Sequence, residues 1–251
     1  MVAPKGYVCL VLHAHLPFIR HPEHPEFLEE DWLFEAIIET YLPLLAGYER
    51  LINDGIDFRI TMSLTPPLCE MLVDPLLQDR TVRRLERLIE LTDKEVERTS
   101  SGQDAVYHDS ALMYQRKLRL AHDLYTRRYG RSVLEGFKSL QDAGVLDIIT
   151  CGATHGFLPL MKTENAARAQ IRVAQLNYQK HFRRAARGIW LPECGYAPAL
   201  DKHLNAEGLE YFFLDAHGLL YGKPSPRKGV FSPVRTPSGV AAFGRDIESS
   251  R

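Results

Sequence analysis

Val145-Leu146-Asp147-Ile148-Ile149-Thr150 is a short, mostly apolar run that passes without a break into Cys151-Gly152-Ala153-Thr154-His155-Gly156. Its length and β-branched content predict a strand, and the small residues after it predict the strand's end. A histidine thus stands just past a strand terminus. The arrangement recurs. Tyr7-Val8-Cys9-Leu10-Val11-Leu12 is a continuous apolar run, as expected of a strand covered on both faces, and it ends in His13-Ala14-His15-Leu16-Pro17. Arg187-Gly188-Ile189-Trp190-Leu191 leads into Pro192-Glu193-Cys194-Gly195, and Leu209-Glu210-Tyr211-Phe212-Phe213-Leu214 into Asp215-Ala216-His217-Gly218. Phe58 to Ser63 alternates as a further strand.

Helical spacing fills the intervals. Trp32, Leu33, Ala36, Ile37, Tyr41, Leu44 and Leu45 define a helix from Asp31 to about Asp54, with Asp31 as its cap, Gly55 as its stop, and Pro43 as a kink or division. Further helices are predicted from Thr65-Pro66-Pro67, from Glu164 to His181, and from Ala197 to Asn205. Residues from about 74 to 143 read as helical and highly charged. That block is too long for a simple barrel connection and predicts an inserted helical layer. The basic residues Arg116, Lys117, Arg119, Arg127 and Arg128 within it are offset by acidic neighbours, as on a solvated helix face. Strands alternating with helices predict an α/β fold built on a parallel sheet or barrel. In such barrels the active site lies at the carboxyl ends of the strands. Four strands that each end in His, Asp or Glu therefore point to one cleft.

Composition narrows the function. The 251 residues carry a formal net charge of −1, which offers no basic surface for nucleic acid. No stretch approaches the roughly 20 apolar residues of a membrane helix. The four cysteines, Cys9, Cys69, Cys151 and Cys194, have no metal-type spacing and mostly lie in apolar stretches, so they read as small core residues in a reducing, cytoplasmic setting. His21 and His24, interleaved with Pro22 and Pro25, read as a loop.

Glu193 is the candidate catalytic residue. A carboxylate in a tightly specified turn, among apolar and aromatic neighbours, can attack an anomeric carbon or move a proton. Trp190 and Tyr196 flank it as candidate sugar-stacking rings. His13 and His15, at i and i+2 on one strand, point the same way. They can grip a metal or donate to sugar hydroxyls, and His155 shares that ambiguity. Asp215 is a further candidate for substrate binding.

Leu12-His13-Ala14-His15-Leu16-Pro17, Thr154-His155-Gly156-Phe157-Leu158-Pro159 and Trp190-Leu191-Pro192-Glu193-Cys194-Gly195-Tyr196 resemble, in order, the first three signature regions of glycoside hydrolase family 57. Glu30 to Ala36 and Phe243 to Ser250 resemble that family's 1,4-α-glucan branching enzymes, so the likeness runs along essentially the whole chain. The resemblance implies an incomplete (β/α)7 barrel over residues 1–251, cut before the family's C-terminal helical domain. It implies a retaining mechanism with Glu193 as nucleophile, and His13, His15, His155 and Trp190 around the donor glucose. It implies an α-1,4-glucan substrate and neither metal nor other cofactor. The family's general acid/base is an aspartate in a fourth region that this chain lacks, so the chain alone is expected to be inactive. Asp215 and Asp246 stand outside the expected motif for that acid. A barrel cut part-way exposes a strand edge, which predicts marginal stability. Alternatives are an α-amylase or 4-α-glucanotransferase of the same family, a metal-dependent amidohydrolase or deacetylase using His13, His15, His155 and Asp215, and a glucan-binding protein without catalysis.

Overall fold

A computed structural model of the chain describes residues 6–250. The predicted domain runs 1–251, so residues 1–5 and 251 lie outside this description. Two compact units emerge. One gathers Met1–Pro17, Arg59–Cys69 and Val145–Arg251; the other gathers Phe18–Phe58 and Glu70–Gly144.

The first unit is built on a seven-stranded sheet: β1 (Val11–Ala14), β2 (Ile60–Leu64), β3 (Leu146–Cys151), β4 (Gly188–Trp190), β5 (Tyr211–Leu214), β6 (Val234–Arg235) and β7 (Ala241–Gly244). Their order is β1-β2-β3-β4-β5-β7-β6. All neighbours are parallel except β6 and β7. The sheet is not closed, and β1 and β6 are its edges. This is the parallel α/β architecture expected from the apolar runs.

Alternation along the strands gives the sheet two faces. On one face Ile149, Cys151, Trp190, Cys194 and Phe213 form a buried cluster, with Val11, Tyr211 and Phe243 packed against it. Below it the Tyr211 hydroxyl donates to Asp147 Oδ2 at 2.6 Å. Gly188 is required here: a Cβ would stand 2.4 Å from the Tyr211 ring and 2.7 Å from Ile149 Cγ2. The helix Glu164–Phe182 covers β3. Thr163 caps it, its hydroxyl accepting from the Ala166 N–H at 3.2 Å, and Tyr178 donates to the Ile148 carbonyl at 2.7 Å. Fully burying Ile171 and Phe182 on this helix stabilises the unit by about 1.5–3 kcal/mol each.

The first strand departs from expectation. Pairing begins at Val11 with Thr61 and runs on through His13 with Ser63, whereas Tyr7, Val8, Cys9 and Leu10 are exposed. The run is apolar, but Tyr7 to Leu10 lie outside the pairing and are exposed, and Val11 to His13 are at most partly buried, so it is not a strand covered on both faces. The other three cysteines are buried. The pair β6 and β7 was not predicted: both are short and lie in or beside a stretch rich in Gly, Pro and Ser.

The second unit is helical. Glu30–Glu35 continues through a π-helical segment, Ala36–Tyr41, into Leu42–Asn53. Pro43 lacks an N–H and cannot continue an i→i−4 ladder, and the widened segment lies just before it. The helix cap is Glu29 rather than Asp31. Helices Pro75–Arg98, His108–Asp123 and Val133–Asp142 fill the predicted helical block, and the compact unit also takes in 18–58. Asp74 caps the longest, accepting from the Leu77 N–H at 3.1 Å. Arg119 pairs with Asp93 at 2.8 Å, Arg127 with Asp123 at 3.2 Å and Arg128 with Glu49 at 3.3 Å, all solvated pairs of low worth. His21 and His24 sit in a loop and stack on Phe27.

Candidate functional site

The carboxyl ends of β1, β3 and β4 bring the predicted residues together within the first unit. His15 and His155 stack with ring centroids 3.6 Å apart and planes inclined by 10°. His13 lies 5.4 Å from His155 and 4.6 Å from Trp190, again near-parallel. Glu193 Oε1 is 3.6 Å from His155 Nε2, and its side chain is 78% exposed. A buried, fully bonded glutamate would be a structural residue. This one is open to solvent and meets an imidazole edge.

The turns that present these groups are strained. His155 has φ 56°, Glu193 φ 52° and Cys194 φ 54°, in the left-handed region that non-glycine residues avoid. Each such residue costs on the order of 1–3 kcal/mol. The Glu193 turn is held by the Cys194 N–H donating to the Leu191 carbonyl at 2.8 Å and the Gly195 N–H to the Pro192 carbonyl at 3.0 Å. Gly195 lets the Phe157 ring pack against the turn, since a Cβ there would stand 2.3 Å from that ring and displace it. The His155 turn is tied down by Gln170, whose side chain accepts from the Thr154 N–H at 2.8 Å and donates to the Thr154 hydroxyl at 2.9 Å.

Electrostatics keeps the imidazoles neutral. His13 retains contact with solvent, yet the packing of its ring removes enough water to push its pKa down to about 3, with repulsion from His155, His15 and Arg245 adding. His15 is pushed down to about 4, by burial first and then by His155. Burial also lowers His155, opposed by the carboxylate of Glu193. Neutral imidazoles beside a carboxylate suit the recognition of uncharged hydroxyl groups.

Each ring nitrogen Nδ1 has a protein partner. His13 Nδ1 lies 2.5 Å from Ser63 Oγ, His15 Nδ1 3.1 Å from Thr65 Oγ1, and His155 Nδ1 3.2 Å from Cys151 Sγ. The sequence reading placed no site residue on β2. The signal was present: Ser63 and Thr65 repeat at i and i+2, in register with the H-x-H of β1.

The remaining candidates have other partners. Asp215 Oδ1 accepts from Arg245 Nη1 at 3.0 Å. Arg245 also lies over the Trp190 ring, 5.4 Å from its centroid, and reaches Cys194 Sγ at 3.7 Å. A cleft lined by Asp215, His217, Arg245, Asp246, Ile247 and Ser250 opens beside this ion pair. Arg245 entered the sequence reading only through the resemblance. Trp190 is 9% exposed and engaged by His13 and Arg245, so it backs the imidazoles instead of offering an open face. Tyr196 stacks on Phe212 at 4.9 Å. Phe212 alternates with Phe213 and points to the opposite face of the sheet, so the structure does not bring Tyr196 to the imidazoles. Both rings predicted to stack on sugar thus have protein partners.

The metal alternative fares poorly on donor geometry. Imidazole lone pairs lie in the ring plane, and three near-parallel rings direct them side by side instead of at one point. Asp215, its fourth ligand, is committed to Arg245. Among the described residues no group of three or more His, Cys, Asp or Glu is placed to hold a metal ion. No helix among them is long and apolar enough to cross a membrane.

Comparisons with known proteins point to one family. A sequence model of glycosyl hydrolase family 57 matches residues 9–251. The 1,4-alpha-glucan branching enzyme TK1436 of Thermococcus kodakarensis is 37% identical over 246 residues, covering 92% of this chain and 35% of that protein. Among solved structures, the alpha-amylase AmyC of Thermotoga maritima is 48% identical with a TM-score of 0.93, covering 99% of this chain and 47% of that one. The family 57 branching enzyme of Pyrococcus horikoshii is 32% identical with a TM-score of 0.87, covering 98% and 48%. The chain thus spans about a third to a half of the length of the relatives it matches.

Proposed function

The chain belongs to glycosyl hydrolase family 57, and from that premise we propose that it carries the donor side of a retaining α-glucan site, with Glu193 as the nucleophile. One observation carries the reading: an exposed carboxylate on a strained turn, 3.6 Å from His155, beside a stack of neutral imidazoles. Glu193 attacks the anomeric carbon of an α-1,4-linked glucose and forms a glucosyl-enzyme as the bond to the leaving oxygen breaks. His13, His15 and His155 bind hydroxyl oxygens of that glucose, and Trp190 backs them.

Retention requires a second carboxyl group about 5–5.5 Å from the nucleophile. Asp215 is tied to Arg245, and Asp246 accepts from both the hydroxyl and the N–H of Ser249. We assign the acid/base role to neither. The chain alone is then inactive on unactivated glucan.

The acceptor is read as a glucan 6-hydroxyl, giving α-1,6 branches, in line with the branching enzymes at 32% and 37% identity. Hydrolysis is the second reading, favoured by the 48% likeness to an alpha-amylase. Linkage analysis of amylose treated with the protein in its natural length separates them. New α-1,6 linkages support branching. New reducing ends without them support hydrolysis, and new α-1,4 chains alone support 4-α-transfer. No change in the glucan would overturn the reading.

A further inference from the structure

We propose that Ser63, Thr65 and Cys151 are positioning residues that hold His13, His15 and His155 in one tautomer, with the proton on Nε2. Each anchor side chain lies within hydrogen-bond distance of an imidazole Nδ1, at 2.5, 3.1 and 3.2 Å. All three anchors are fully buried. Their hydrogens are out of reach of water, and among the described residues Nδ1 is the acceptor each one meets.

The choice of tautomer follows from that confinement. With a proton on Nδ1, the ring would donate to the anchor, and the anchor's own O–H would be left buried without an acceptor. Such an orphan costs about 1–3 kcal/mol. With Nδ1 bare, the anchor donates to it and nothing is left over. For Cys151 the orphan penalty is smaller, because an S–H is a weak donor, and the carboxylate of Glu193 facing His155 Nε2 at 3.6 Å adds to the same preference. Burial raises its thiol pKa, so the S–H is retained, and sulfur is a weak acceptor for a ring N–H. In all three pairs the balance favours Nδ1 as acceptor and Nε2–H as donor.

The result is a set of three N–H donors, each on the ring edge away from its anchor. His155 Nε2 faces Glu193 Oε1 at 3.6 Å, so the carboxylate meets a donor and not a lone pair. The device comes from register: β1 and β2 run parallel with His13 opposite Ser63, and Thr65 follows two residues on. The use of these donors on sugar oxygens rests on the function proposed above; the tautomer does not.

Long-range proton–nitrogen correlation spectra of the labelled chain at neutral pH distinguish the two neutral imidazole forms. The expected result is a bare Nδ1 and a protonated Nε2 for His13, His15 and His155. Thr65→Val removes the O–H at nearly constant volume, and His15 alone should lose this pattern; Thr65→Ser should restore it. Cys151→Val should release His155, and Cys151→Ser should not. A protonated Nδ1 on any of the three in the unmodified chain overturns the proposal, as does a Thr65→Val spectrum with His15 unchanged. If a variant fails to fold, the unmodified spectrum decides. These spectra read protons and not catalysis, so they stand or fall separately from the glucan reading.

Discussion

Two glutamates, one in each unit, occupy opposite environments. Glu30 is 1% exposed and receives Arg80 Nη1 on both carboxylate oxygens at 2.5 Å, with the His21 N–H donating at 2.9 Å. Arg80, itself 6% exposed, also donates to the carbonyls of His21 and His24. Glu193 is 78% exposed, sits on left-handed backbone, and has a neutral imidazole as its neighbour. The first carboxylate is satisfied and immobilised, so its chemistry is spent on structure. The second sits on a strained turn held by backbone hydrogen bonds, and its carboxylate is left free to react. Residue type alone does not separate the two; saturation of the carboxylate oxygens does.

Substitution should expose the contrast. Glu193→Gln is expected to reduce glucan activity of the natural-length protein on the order of 10³-fold or more, with the thermal midpoint unchanged. A folded Glu193→Gln protein with near-normal turnover would break the comparison from one side. Glu30→Ala leaves Arg80 buried without its partner and is expected to destabilise by about 3–5 kcal/mol in denaturant titration. A cost well under 1 kcal/mol would break it from the other side. Gly188→Ala forces a methyl group into the Tyr211 ring beneath the site and should cost about 1–3 kcal/mol, read in the same titration.

The smallest expected effect is the pH dependence of the imidazole stack. His13 and His15 titrate near 3 and 4 in the folded chain, against 6.5 for an ordinary histidine. Between those values the unfolded chain binds more protons than the folded one, so stability rises with pH across the window. Their contribution is complete above about 6.5 and is lost as the pH falls towards the folded values of about 4 and 3. Thermal midpoints should therefore fall from pH 6.5 to pH 4. Substituting both histidines by Gln should flatten the slope; an unchanged slope would sever the link between this stack and stability.

Much of this was legible because buried parallel strands are written as apolar runs. A polar residue just after such a run stands at the carboxyl end of a strand, which is how His13, His15, His155 and Glu193 were found together. Position on the sheet was less legible. Apolarity could not tell that β1 is an edge whose pairing starts at Val11, so Tyr7 to Leu10 were taken for covered residues. Ser63, Thr65 and Cys151 are ordinary residue types, and their role appears only when register puts them beside an imidazole. Arg245 follows β7, whose Ala241-Ala242-Phe243-Gly244 lacks the run of large and branched apolar residues that marked the other strands. Trp190 and Tyr196 were recognised as aromatic but not oriented, because orientation depends on which face of the sheet each ring takes.

The most direct test of the central claim is covalent trapping. A 5-fluoro-α-glucosyl or maltosyl fluoride carries a leaving group that departs without an acid, so it requires only the donor pocket and the nucleophile. Peptide mapping by mass spectrometry after incubation should find the sugar on Glu193, and no adduct in the Glu193→Gln chain. A sugar attached to any other carboxylate, with Glu193 unmodified, would contradict the account.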